Sequence, residues 1–272
     1  MISTRLGEIV VETTGQGPLV LLVPAAGRAA ADFAPVIAAL AARFEVATID
    51  WPSHGASPSC ARPHDATALD AAAALREVAD ALGRPAIVIG HSLGGFAAAK
   101  LAIDAPARVR ALVLIDALGF FPFNAITRAF CVVKGVPAIT RATERWIARG
   151  QTMRRNAHTA KIIARVDDAG ARADYVALTA ALWRSFPDPA NDLRKAAAAI
   201  RCPTLVTWGR LDPVIPVFGA RNAVRAIPGA ELALFTTGHS PFAEDPARFA
   251  KTLTDFLDRA VQRERSARSI AT

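Results

Sequence analysis

The sequence is poor in cysteine. Only Cys60, Cys131 and Cys202 occur in 272 residues, too few and too scattered for a disulfide framework or a zinc cluster. It also lacks a long hydrophobic run. The apolar stretch from Leu19 to Ala26 falls far short of the roughly 20 residues of a membrane span, and Arg28 and Asp32 follow it closely. Residues Met1 to Thr14 do not show the basic-then-apolar order of a secretory leader. The expectation is a cytoplasmic protein with no integral membrane association. Charged residues make up 21% of the chain against 52% hydrophobic ones, which excludes a disordered or collagen-like polymer. What is in surplus is positive charge: 32 Lys and Arg against 24 Asp and Glu, a net +8. On its own that surplus invites a nucleic-acid or anionic-surface partner.

The length suits one α/β domain with a single large core. Short apolar runs at 3–6, 9–13, 19–24, 45–50, 86–90, 109–116, 203–208 and 231–235 read as strands. Amphipathic, Ala-rich stretches at 32–42, 70–82, 92–105, 218–227 and 246–261 read as helices between them. This alternation predicts an α/β fold, a mostly parallel twisted sheet with helices on both faces. It stops between residues 117 and 199, where no β run is found. There the chain looks helical, with Pro122, Pro137, Pro187 and Pro189 as breakers. The predicted organisation is a core of residues 1–116 and 200–272 interrupted by an inserted helical cap, 117–199. The Arg-rich end, 259–272, is expected to fray.

The sharpest local signal is Gly90-His91-Ser92-Leu93-Gly94-Gly95, at the point where the run Ala86–Ile89 turns directly into a helix. A serine on so tight a strand–turn–helix junction needs small neighbours two positions away on either side, which explains Gly90 and Gly94. The geometry lifts the hydroxyl above the sheet and aims the amides of the new helix at whatever the serine attacks. A serine hydroxyl also needs a base. Of the five histidines, His91 adjoins the serine but points away and reads as structural, and His64 and His158 lie in polar or helical surroundings. His239 follows a strand and a Thr-Thr-Gly turn, on a loop at the carboxyl edge of the sheet, where α/β sites lie. Asp212, just past the 203–208 strand on the same edge, is the acid to orient it. Asp116, at the end of the strand that follows the nucleophile helix, is the alternative.

With the chain order Ser92, Asp212, His239, the sequence resembles the α/β-hydrolases, in particular small bacterial capped serine hydrolases of the esterase, lactonase and carbon–carbon hydrolase kind. The likeness rests on three further segments. Asp50-Trp51-Pro52-Ser53-His54-Gly55-Ala56-Ser57 is similar to the family's D-x-x-G-x-G-x-S loop, with Ser53 in place of one glycine. Trp208–Pro213 and Gly238–Pro246 match the acid and base loops closely. The resemblance implies the α/β-hydrolase fold with an inserted cap, and a Ser nucleophile argues against haloalkane dehalogenase or epoxide hydrolase chemistry. One departure stands out: where the family usually carries His-Gly after its third strand, this chain reads Val23-Pro24-Ala25-Ala26-Gly27. By position the oxyanion donors are the backbone N–H groups of Ala26, with Ala25 as the alternative, and of Leu93.

The reaction so implied is hydrolysis of a small carboxylic ester, lactone or thioester through an acyl-enzyme on Ser92, with no cofactor and no metal. Two other readings stay open: carbon–carbon bond hydrolysis in the same site, and a catalytically weak ligand-binding protein on the same fold. Phe120, Phe121, Phe123, Trp146 and Trp183 are the aromatic candidates for the pocket wall. The expected partner is a small-molecule substrate rather than nucleic acid, for a monomer or homodimer. Residues 117–172 hold ten basic and three acidic residues, so the positive surplus belongs mostly to the cap. There it is either a solvated outer face or a surface that steers anionic substrates.

Overall fold

The fold was analysed in a computed structural model, which describes the backbone of residues 1–270 and the side chains of residues 1–262. Eight strands form one sheet: β1 (Ile2–Thr4), β2 (Gly7–Thr14), β3 (Leu19–Val23), β4 (Glu45–Asp50), β5 (Ala86–His91), β6 (Val109–Ile115), β7 (Thr204–Gly209) and β8 (Glu231–Phe235). Their spatial order is β1-β2-β4-β3-β5-β6-β7-β8. β2 runs antiparallel to both β1 and β4, and every other pairing is parallel. The registers Val23 with Gly90, His91 with Ile115 and Gly209 with Phe235 bring the carboxyl ends of β3 and β5 to β8 to one edge.

Strands buried on both faces explain the unbroken apolar runs. Leu19, Leu21 and Val23 of β3, with Val88 of β5 and Leu112 and Leu114 of β6, pack on one side. That side is covered by α2 (Ala68–Leu82), α3 (Leu93–Asp104) and α8 (Phe218–Ala226). The alternate residues Val20, Leu22, Ile87, Ile89, Val113 and Ile115 face the other way, against α1 (Ala34–Ala41) and α10 (Pro246–Ile270). Local chemistry sets the ends. Thr67 and Asp70 form a reciprocal capping box at the start of α2, and Gly83 closes it in the left-handed conformation at φ 71°.

Most boundaries shift by one or two residues, and two elements differ more from expectation. The helix predicted over 32–42 is a 3₁₀ turn, Ala30–Phe33, followed by α1, because Pro35 sits in the first turn of α1 and has no N–H to continue the earlier one. The terminal helix runs on to Ile270 instead of fraying from Arg259; the last two residues of the predicted frayed end lie outside the described residues.

Between β6 and β7 come α4 (Ala125–Lys134), α5 (Pro137–Gly150), α6 (Ala157–Ala169) and α7 (Ala173–Ser185). Asn124 and Asn156 cap α4 and α6 with their side chains, and Pro137 opens α5. α7 is buried from Tyr175 to Trp183, and α4 and α5 pack on it from outside. No helix among the described residues is long and apolar enough to cross a membrane. α9 (Pro241–Glu244) is a single turn after β8, and it shapes the site described next.

Candidate active site

Ser92 stands between the last residue of β5 and the first of α3 at φ 54° and ψ −112°, in the left-handed half of backbone space that a side chain rarely enters. Such a conformation costs on the order of 1–3 kcal/mol and persists only where the surroundings dictate it. Here they do. The Ser92 N–H donates to Ile115 O at 2.9 Å, and Ser92 O accepts from Leu118 N at 3.1 Å and Phe96 N at 3.0 Å. A Cβ on Gly90 would drive into the Gly94 carbonyl, and one on Gly94 into the carbonyls of Val23 and Pro24. A Cβ on Gly95 would collide with Ala117, so the sixth residue of the motif is constrained as well. Leu93, whose N–H begins the helix, is fully buried.

Asp212 and His239 come together from the loops after β7 and β8. His239 Nδ1 donates to Asp212 Oδ2 at 2.6 Å, and both side chains are almost fully buried. The other carboxylate oxygen, Oδ1, accepts from Val214 N at 2.8 Å and Ile215 N at 3.1 Å, which fixes the acid from its far side. Nδ1–H committed to a carboxylate leaves Nε2 as the basic nitrogen. Ser92 lines the same cavity as His239 but is not hydrogen-bonded to it.

Asp116 lies beside this pair and is not hydrogen-bonded to the histidine. Its Oδ1 accepts from Gly209 N at 2.8 Å, and its backbone too has a positive φ, 43°. Burial pushes its carboxyl well above the carboxylate range, and the neighbouring Asp212 charge pushes the same way. One ligand-type atom each from Asp116, Asp212 and His239 lie within 4.8 Å of one another. Within this group the histidine Nδ1 is already engaged by Asp212 Oδ2. His91 is structural, as its position suggests: Nε2 donates to His239 O at 2.6 Å, and burial holds the ring well below its ordinary pKa, hence neutral.

A cavity of about 280 Å³ opens over Ser92 and His239, with Ala25 and Ala26 in its wall. Phe121, Phe123 and Trp183 line it together with Leu118, Phe130 and Phe186. Two expected wall residues are elsewhere. Phe120 is fully buried in the core beneath, its carbonyl held by Asn222 Nδ2 at 3.0 Å. Trp146 is 61% exposed on the outer side of α5, its ring covered by the guanidinium groups of Arg145 and Arg149. The reason is helix phase: α5 turns Thr140, Glu144 and Ala148 inward, which carries position 146 out.

The loop without His-Gly is held by other groups. Trp51 Nε1 donates to Pro24 O at 2.9 Å, while Tyr175 Oη and Arg28 Nη1 each donate to Gly27 O at 3.1 Å. Gly27 is left-handed at φ 68°, and a Cβ there would press on Glu144 and Tyr175. Ser53, standing where the pattern has glycine, also takes a positive φ of 63°, and its hydroxyl accepts from Cys60 N at 2.9 Å.

Sequence reasoning missed Gln151 and Glu244. The His239 N–H donates to Gln151 O at 2.9 Å, across from the end of α5. Glu244 Oε2 accepts from Gly238 N, Met153 N and Arg154 N at 2.8–3.0 Å, and Oε1 from Ser240 N at 3.3 Å. One buried carboxylate thus ties the residues on either side of His239 to the turn between α5 and α6. The Glu in Gly238–Pro246 was in plain sight, but its partners lie about 90 residues away and left no local signal.

A model of the alpha/beta hydrolase family matches residues 20–252. Among curated relatives, a pimeloyl-[acyl-carrier protein] methyl ester esterase of Nitrosomonas europaea is 30% identical over 257 residues, covering 90% of this chain and 97% of that one. The Chromobacterium violaceum protein of the same name is 29% identical over 260 residues, 91% and 97% of the two chains. Solved structures with the same fold include an enol-lactonase from Burkholderia xenovorans, at TM-score 0.79 and 22% identity over 92% of this chain and 96% of that one. A thermophilic esterase from Thermogutta terrifontis superposes at TM-score 0.80 and 24% identity, over 95% and 97%.

Proposed function

The chain belongs to the alpha/beta hydrolase family, and on that premise we propose that it is a serine hydrolase cleaving a small carboxylic ester, lactone or thioester through an acyl-enzyme on Ser92. The observation that carries the reading is the 2.6 Å bond from His239 Nδ1 to Asp212 Oδ2, at a cavity that Ser92 enters from a strained strand–helix junction. His239 Nε2 takes the Ser92 Oγ proton as the oxygen attacks the substrate carbonyl. The backbone N–H groups of Leu93 and Ala26 receive the oxyanion, with Ala25 as the alternative donor on that loop. The protonated His239 then gives its proton to the leaving oxygen or sulfur. Water, activated by the same base, attacks the acyl carbonyl and releases acid and Ser92.

Residues 117–199 act in this reading as a cap, with α4, α5 and α7 supplying Phe130, Ile147 and Trp183 to the roof of the cavity, over a core of 1–116 and 200–272. Relatives named as methyl ester esterases support ester chemistry over carbon–carbon cleavage. An activity screen over p-nitrophenyl esters, lactones and thioesters, run with the wild type and Ser92→Ala, tests the proposal. Turnover that survives Ser92→Ala, or product formation from a vinylogous diketone but from no ester, refutes it.

A further inference from the structure

Beside the oxyanion loop the cavity wall carries one cation, Arg28, and one carboxylate, Glu144. Two further cations, Lys134 and Arg165, lie near it outside that wall. They face two carboxylates, Glu144 and Asp32. Lys134 Nζ takes Glu144 Oε2 at 2.8 Å, with Thr143 Oγ1 at 3.0 Å as a further acceptor. Arg165 takes Asp32 Oδ1 through two nitrogens, at 2.9 and 2.6 Å. Among the described residues, Arg28 has no carboxylate within hydrogen-bond distance. Its nearest carboxylate oxygen, Glu144 Oε1, is 3.9 Å away, and its hydrogen bonds go to neutral acceptors, Gly27 O at 3.1 Å and Gln151 Oε1 at 2.7 Å. Its side chain is only 7% exposed, and it lines the cavity that holds Ser92 and His239. Most of the rest of that wall is apolar.

A buried guanidinium whose carboxylate neighbour stands 3.9 Å away is still stabilised by a planar anion that meets its fork of N–H groups at hydrogen-bond distance. We propose that Arg28 receives a carboxylate carried by the substrate, so that the ester or lactone cleaved at Ser92 is a half-ester of a dicarboxylic acid or a lactone bearing a carboxylate. The inference rests on Ser92 being the nucleophile, since it names the substrate class of that same site. A planar carboxylate fits the guanidinium fork; a phosphate monoester would bring a second negative charge beside Glu144, which lines the same cavity. The aromatic wall of Phe121, Phe123, Phe130, Trp183 and Phe186 takes the hydrocarbon portion.

The test is a binding comparison that needs no turnover. Ser92→Ala protein is titrated by calorimetry, at fixed ionic strength, with monoethyl glutarate and with ethyl glutaramate, in which a neutral amide replaces the carboxylate at the same size. The anion should bind about 30-fold more tightly, the range of a hydrogen-bonded charge pair. In Ser92→Ala/Arg28→Gln the ratio should fall at least about tenfold. In Ser92→Ala/Arg28→Lys part of it should remain. Equal affinity for the two ligands, no binding of the anion, or a preference that survives Arg28→Gln in a protein with an unchanged melting temperature overturns the inference. The first of these outcomes needs no Arg28 variant. Turnover of neutral ethyl butyrate by the wild type, absent in Ser92→Ala, checks the nucleophile separately. Charge preference without such turnover faults Ser92 and leaves Arg28; turnover without preference does the reverse.

Discussion

The two halves of the site are built by different physics. Ser92 is held by backbone packed on backbone, where Gly90, Gly94 and Gly95 leave no room for a Cβ and the β-sheet core supplies almost every contact. His239 is held by hydrogen bonds, from Asp212 on its ring and His91 on its carbonyl within the core, and from Gln151 on its N–H and Glu244 around its loop across to the helices between β6 and β7. The difference teaches where the site is tolerant. A junction fixed by sterics fails with the fold, whereas a histidine fixed by hydrogen bonds can be misplaced in a protein that still folds.

The largest expected effects come from the reacting groups themselves. Ser92→Ala and His239→Ala should each lower kcat by about 10⁴–10⁶, and the double variant should lose little more, because groups acting as a unit are not additive. Steady-state kinetics on a p-nitrophenyl ester reads this, and independent, multiplying losses would break the idea that the halves work together. Next is Gly94→Ala, which forces a Cβ into two carbonyls and should cost about 3 kcal/mol in chemical denaturation, with activity lost in proportion to folding. Glu244→Gln sharpens the contrast from the other side. It should cost about 2 kcal/mol and lower kcat about tenfold in protein that is fully folded at assay temperature. A Glu244→Gln enzyme with native kcat would show that the cross-links to the α5–α6 turn do not position His239.

The smallest effect is on pH. Burial lowers the pKa of both His54 and His91 in the folded chain. The unfolded chain takes up protons on these rings as pH falls through about 6.5, while the folded one does not, so stability is present above that pH and is lost below it. Each ring contributes a slope of up to about 1.4 kcal/mol per pH unit. Asp32 and Asp116, whose pKa values are raised above the ordinary 3.8, act with the opposite sign between that value and their raised folded ones. Comparing urea unfolding between pH 7.5 and 5.5 for wild type and His54→Gln isolates one ring: the variant should show the shallower slope.

Much of this architecture was legible in the sequence because its determinants are local. Continuous runs such as Leu19–Val23 and Ala86–His91 mark doubly covered strands, and the glycines around Ser92 announce a crowded turn. What escaped reading depends on contacts between distant residues or on helix phase. Trp146 and Phe120 were expected at the cavity, yet one degree of freedom, the rotation of α5 about its axis, sends the first outward, and the sheet core claims the second. Arg28 reads as an interruption of an apolar run until Glu144 and Gln151 are brought against it. The basic surplus of residues 117–172 is likewise partly spent once folded: Arg154, Arg165 and Arg172 pair with Asp245, Asp32 and Asp174, all outside that span.

The most direct test of the central claim, that Ser92 is an activated nucleophile, is intact-mass and peptide mapping after exposure to a fluorophosphonate. The account predicts one adduct per chain, on the peptide containing Ser92, formed by wild type and absent from Ser92→Ala and His239→Ala. An unlabelled wild type, or labelling that persists in Ser92→Ala, would contradict it.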